Sequence, residues 1–422
     1  MSQSSENEKC FKEREKRVMD VVALKKSDRV PLATISDFYF ATSQGVNCRE
    51  AMYDYDKMAA AWKTTAKELD LDMTGQLFSI MSGKVMDIMG IKGFSWPGAA
   101  DPAQRLPDHL QYQYHEKDLI QADEIDDFLK DPSDFTIRKL MPRMSETIGP
   151  LAMVPVGINA LSIPYTMIMG VPMMAALLGD IGSKLKQAGE EHLIWQASQD
   201  KLIADLKEMG YPTVHNVTGQ CAFDWVADNL RGLKGSMLDM YRQPDKLMAL
   251  VDLFEPQMVE MTLMMAEMSD IKRVFIPLHK GAGGFMNDAQ FKKFYWPSLK
   301  RYFLALIDHG LTPEPFYEGD YTPRLEYLAE LPPGKIMGHY DKIDRKKHKE
   351  IMSGIACFWG DVPGSLLVSG TPEKVKDYVK ALIDDFADGG LIVDGSANGL
   401  PLESKKENVM ALIETVREYG KS

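Results

Sequence analysis

Cysteine is scarce in this sequence. Cys10, Cys48, Cys221 and Cys357 are scattered over 422 residues with no CxxC pair, which excludes a disulfide framework and a cysteine-rich zinc module. The first residues, Met1-Ser-Gln-Ser-Ser-Glu-Asn-Glu-Lys, lack the apolar core of a signal peptide, so a cytoplasmic protein is expected. Positive charge is also in deficit: 49 basic residues stand against 61 acidic ones, a formal net charge of −12. No basic stripe is interleaved with aromatics, so nucleic-acid binding is not expected. There is no GxSxG elbow, no HExxH helix, no Walker loop and no GxGxxG after a strand. Acyl transfer and dinucleotide binding therefore have no support.

One long uncharged run is present, from Gly149 to Gly179. By length alone it could span a bilayer, but its four prolines and four glycines would break a membrane helix, and Lys184 and Lys186 follow. A buried loop with a short helix is expected, and no membrane span. The 28 methionines, clustered at Met261-Thr-Leu-Met-Met-Ala-Glu-Met268, sit at helical spacing and read as core.

The chain is 45% hydrophobic, enough for one large domain. A charged helix over about residues 6–25 precedes the strand-like run Val30-Pro-Leu-Ala-Thr-Ile35, and helical segments dominate to about residue 130. From residue 211 strand and helix signals alternate regularly. Strands are predicted over 211–218, 273–279, 312–317, 335–339, 355–360 and 391–394, with helices between them. The fold class is α/β, and the number of units predicts a (β/α)8 barrel with an N-terminal helical cap (1–130) and the apolar insertion 149–179. No linker divides the chain.

A barrel gathers the carboxyl ends of its strands at one mouth, so strand-end residues carry the chemistry. These are His215, His279 with Lys280, Glu318 with Asp320, His339 with Asp341, Asp361 and Asp394. Glu318 and His339 close successive strands, in Glu314-Pro-Phe-Tyr-Glu318-Gly-Asp320 and Gly338-His339-Tyr-Asp341. A carboxylate and an imidazole suit zinc, which needs a further ligand; His279 is the candidate, with Cys357 behind it. Equally open is a hydrogen-bonded Glu318–His339 pair without metal. The glycines of His279-Lys280-Gly-Ala-Gly-Gly-Phe285 read as a tight turn before the helix opened by Asn287.

Several ordered segments carry a resemblance to a known family. They are Arg14-Glu-Lys-Arg17 and Ser27-Asp-Arg-Val-Pro31 near the start, Asn229-Leu-Arg-Gly-Leu-Lys-Gly235 in the middle, and Trp359-Gly-Asp-Val-Pro363, Gly370-Thr-Pro-Glu-Lys-Val375, Gly389-Gly390, Gly399-Leu-Pro401 and Glu407-Asn-Val409 at the end. With them the chain resembles the uroporphyrinogen decarboxylase superfamily. That resemblance implies a (β/α)8 barrel and either tetrapyrrole decarboxylation or corrinoid-dependent methyl transfer. The segment after Pro31 contains Asp37, Phe38 and Tyr39 in place of the Arg-Gln-Ala-Gly-Arg type of motif that holds a polycarboxylate, and a carboxylate there would repel one.

The family's methyltransferases that serve coenzyme M carry His-x-Cys where this chain has Phe316-Tyr-Glu318, and a further Cys where it has Ser396-Ala-Asn398. What remains is similar to the Glu-and-His pattern, with twenty residues between, of ether-cleaving methyltransferases, whose additional Glu is replaced here by Phe303. The resemblance implies a methyltransferase that moves a methyl group from an O-methyl aromatic donor to the cobalt(I) corrinoid of a partner protein. Zinc on Glu318, His339 and His279 would act as Lewis acid, and Asp320 or Asp341 would protonate product or orient His339. Asp37, Phe38, Tyr39, Lys280 and Asp394 would shape the substrate pocket. A metal-free decarboxylase and a methylcorrinoid:thiol methyltransferase are the alternatives, and a homodimer is left open.

Overall fold

The computed structural model describes residues 3–35, 38–75, 80–155 and 163–421. Six parallel strands form a continuous sheet: β3 (Val217–Thr218), β4 (Arg273–Leu278), β5 (Thr312–Asp320), β6 (Met337–Lys342), β7 (Cys357–Trp359) and β8 (Leu391–Ile392), paired in that order. Two minimal strands complete it, β1 at residues 32–33 and β2 at residues 73–74. Parallel bridges join Val393 to Leu32, Ala33 to Met73, and Thr74 to Thr213. The first edge of the sheet therefore meets the last through β1 and β2, and the ring closes as a (β/α)8 barrel.

The interior differs in kind from the outer core. Val18, Val21 and Val22 of helix Gln3–Val22 pack with Ala33, Met73, Val214, Met337, Cys357, Trp359 and Ile392, so this helix seals the amino-terminal end of the barrel. Above the seal a row of rings crosses the interior: His215 on Phe275 (4.8 Å), Phe316 on His339 (5.2 Å) and His339 on Trp359 (3.9 Å). Trp359 Nε1 donates to the carbonyl oxygen of Ala33 at 2.9 Å, tying β7 to β1. The outer core lies between strands and helices.

Helix starts follow local chemistry. Asn287 forms a capping box with Gln290, Asp344 accepts from the Lys347 amide, and Thr371 caps a helix with Pro372 in its first turn.

Three features depart from the sequence reading. A small sheet of Phe94–Pro97, Arg105–Leu106 and Gln113–Tyr114 interrupts the helical cap. Its strands are two to four residues long, too short to show a period of two. The helical stretch expected between the strands at 211–218 and 273–279 opens in pieces, Ala222–Val226, a π-helical turn Ala227–Arg231 and Gly232–Arg242. The apolar run was expected to be buried; instead Met153, Met167 and Met173 are exposed, and the run continues into the 37-residue helix Pro172–Glu208. Residues 156–162 of the run lie outside the described residues. Among the described residues no helix is long and apolar enough to cross a membrane.

Candidate active site at the barrel mouth

β4 ends at Leu278, and the next two residues turn over the mouth. Their backbone is fixed from below by Asp224, fully buried on the helix after β3. Its carboxylate accepts the His279 amide at 3.2 Å, the Lys280 amide at 3.0 Å, the Cys221 thiol at 3.3 Å and the Tyr295 hydroxyl. Burial, followed by the neighbouring Asp228 charge, pushes its pKa up to about 6. Gly281 follows because no other residue fits: a Cβ there would collide with the Tyr321 hydroxyl and the Tyr295 ring. Gly281 therefore serves packing, while the expected turn before the helix lies at residues 283–285.

One helical turn after Asp224, Asp228 meets the side chains. Its Oδ2 lies 2.6 Å from His279 Nδ1 and accepts from Gln220 Nε2 at 2.7 Å, while Oδ1 stands 3.1 Å from Lys280 Nζ. Burial works to raise the Asp228 pKa, but the hydrogen bond and charge of His279, then Lys280, hold it below the ordinary range. Burial likewise opposes charge on His279, yet Asp228, Asp224 and Glu318 together lift that imidazole to about 9. Lys280 is raised in the same way by Asp228 and by Glu116, 3.4 Å away. His279 Nε2 faces outward to Glu318 Oε2 at 3.7 Å.

The residues expected to act together are redistributed. Glu318 meets His279 and has no polar contact with His339 among those described. His339 places Nε2 2.7 Å from Asp394 Oδ2, with both side chains fully buried, because residue 339 is in register with Phe316, a layer below Glu318. Asp341 accepts the Gly319 amide at 3.0 Å and Asp320 accepts the Thr322 amide at 2.9 Å. These two carboxylates brace strand ends, and it is Asp394 that holds His339. Asp394 also accepts the Val362 amide at 3.3 Å.

Phe38 is buried against Tyr112. Tyr39 packs into the outer core, where burial and then Glu68 raise its hydroxyl to about 12. Asp37 lies outside the described residues. Cys357 donates its thiol to Ile336 inside the barrel, His215 pairs with Glu314, and Asp361 is held by Arg345 and Tyr378.

The zinc expectation can be tested on the donor set. Two donors of a tetrahedral zinc, each about 2.1 Å from the ion, stand about 3.4 Å apart. The 3.7 Å between His279 Nε2 and Glu318 Oε2 is close to that spacing. Asp228 on the other ring nitrogen is the arrangement that orients a metal-bound imidazole. These two residues fit the ion. His339 does not join them, and among the described residues no group of three His, Cys, Asp or Glu is placed to hold a metal ion.

Asp224, Asp228, Gln220, Glu116 and Tyr114 escaped the sequence reading. Asp224 and Asp228 had a legible signal: four residues apart just after a strand end, they share one face of a helix. Glu116 and Tyr114 had none, since they reach the mouth from the small sheet.

Residues 226–419 match the family model described as Uroporphyrinogen decarboxylase (URO-D). The match runs from the turn that carries Asp228 to the last helix. A "methyltransferase from Methanosarcina mazei" aligns over 96% of this chain and 98% of its own, with a TM-score of 0.59 and 14% identity. At that identity the likeness establishes the shared barrel fold. No curated protein sequence matches the chain.

Proposed function

We propose that the chain is a methyltransferase that takes a methyl group from an O-methyl aromatic donor and passes it to the cobalt(I) corrinoid of a partner protein. The observation that carries this reading is the outward Nε2 of His279, oriented by Asp228 and facing Glu318 at the barrel mouth. His279 and Glu318 would hold a zinc ion, which supplies Lewis acidity toward the ether oxygen.

In the reaction the cobalt electron pair forms the new bond to the methyl carbon, the carbon–oxygen bond breaks, and its electron pair leaves on oxygen as a phenolate. Lys280, kept charged by Asp228 and Glu116, stands beside His279 to stabilise that negative charge. Asp224 fixes the backbone of both residues, so His279 Nε2 and the Lys280 ammonium are aimed before the charge develops. Glu318, Asp320 and Asp341 make the rim acidic, which disfavours a polycarboxylate substrate.

The test mixes the protein with a reduced corrinoid protein and 2-methoxyphenol and follows the cobalt spectrum. Conversion of cobalt(I) to methylcobalt(III), dependent on the protein and the ether, is expected. Loss of CO2 from a carboxylated substrate without any corrinoid would replace this reading with decarboxylation.

A further inference from the structure

The small sheet that interrupts the cap brings a row of rings to the mouth. Centroids of Phe38 and Tyr112 stand 6.0 Å apart, Tyr112 and Phe94 6.1 Å, and Phe94 and Tyr114 4.9 Å. The row begins just beyond β1 and ends at Tyr114, whose hydroxyl donates to the carbonyl oxygen of Asp228 at 2.5 Å. Two residues further along the same strand's exit, Glu116 reaches Lys280. Phe38 is buried and needs no explanation beyond packing. Tyr114 is 45% exposed, yet it is held next to the Asp228–His279–Lys280 group.

The geometry of the row discriminates between ligands. A methylated ammonium ion is recognised by rings that surround one point. Here the rings follow one another in a line, with interplanar angles of 63°, 60° and 45°. A line of rings offers an edge-and-face surface to another flat ring. The nearby Lys280 ammonium would repel an ammonium ion and attract a phenolic oxygen.

Resting on the methyl-transfer reading above, we infer that Tyr114, backed by Phe94, is the surface on which the aromatic ring of the donor stacks. The ring lies against Tyr114 and turns its ether oxygen toward His279 and Lys280. Tyr114 is then a specificity-determining residue that selects aryl over alkyl methyl ethers.

Calorimetric titration of 2-methoxyphenol into the full-length protein, without corrinoid, tests this directly. Tyr114→Ala is expected to weaken binding about 10-fold, the upper range for one aromatic contact, and Tyr114→Phe to restore it. In turnover the same Ala variant should raise KM about 10-fold with little change in kcat. Phe94→Leu, read by the same titration, should weaken binding by a smaller factor and guards against a folding defect confined to the Tyr114 variant. Binding of 2-methoxyphenol unaffected by Tyr114→Ala, or a Tyr114-dependent preference for tetramethylammonium, would overturn the inference. Tyr114-dependent binding with no methyl transfer to cobalt would instead sink the methyl-transfer reading and leave the stacking surface standing.

Discussion

Among the described residues, three histidines on barrel strands or at their ends pair with a carboxylate at nearly one distance. His215 meets Glu314 at 2.7 Å, His339 meets Asp394 at 2.7 Å, and His279 meets Asp228 at 2.6 Å. In the first two pairs both side chains are fully buried, and the remaining ring nitrogen, His215 Nε2 or His339 Nδ1, is enclosed without a hydrogen-bond partner. In the third the histidine side chain is 32% exposed and its second nitrogen looks out at Glu318. The comparison shows that the pair itself does not mark a reactive site. What separates interior from mouth is access to the second nitrogen, because only there can a proton, a metal or a substrate atom be exchanged.

The interior pairs have a structural job. Arg273 stands 3.5 Å from Glu314 and also pairs with Glu15 of the sealing helix, so the His215–Glu314–Arg273 chain pins that helix beneath the barrel.

Exchanging roles between the two regions would break the comparison, and the largest effect should fall at the mouth. His279→Ala is expected to lower kcat/KM by about 10³-fold, roughly 4 kcal/mol of transition-state stabilisation, with an unchanged thermal midpoint. The reverse pattern is expected for His339→Ala. It leaves Asp394 buried without its partner and should cost about 3–5 kcal/mol in denaturant unfolding while sparing metal content. If elemental analysis showed zinc lost from His339→Ala and retained in both His279→Ala and Glu318→Ala, mouth and interior would have to change places.

Asp228→Asn sharpens the contrast further. It keeps the shape but weakens the hold on His279, so zinc affinity by competition with a chelating dye should fall about 10–100-fold. The analogous change at Glu314 should leave zinc affinity where it was.

The smallest effect concerns a fourth imidazole that has no carboxylate. His348 is enclosed by Tyr340, Phe358 and Phe386, both ring nitrogens lack partners, and burial lowers its pKa to about 3. A folded-state pKa depressed below the unfolded value near 6.5 means that the unfolded chain binds the extra proton, so stability falls as pH drops below that value. Between pH 7.5 and pH 5 this one group should remove about 2 kcal/mol. Chemical denaturation of His348→Leu at the two pH values should show the gap narrowed by that amount; an unchanged gap would place the titration elsewhere.

Much of this was legible along the chain. The strands from residue 273 onward could be read because parallel barrel strands are short apolar runs between amphipathic helices, and the match over residues 226–419 lies in the same region. β1 fell inside the strand-like run Val30–Ile35, whereas β2 was missed, being little more than single bridges whose identity as a strand depends on its neighbours. At the site, His279, Lys280 and Glu318 were found because a strand end is a local signal. Their grouping was not, since it depends on side-chain alternation and stagger around the barrel. Tyr114 and Glu116 belong to a segment with no periodic signal at all.

The order of strands and helices, the positions of the strand ends and the acidic charge balance are properties of the sequence itself, set by local apolar spacing and composition. Which histidine faces the mouth was decided only in three dimensions. Glu318 and His339 close neighbouring strands, but the stagger between β5 and β6 sets His339 level with Phe316 and leaves Glu318 above it, next to His279. Register between non-consecutive residues is fixed by closing the ring, and that closure is a long-range fact that no local spacing encodes.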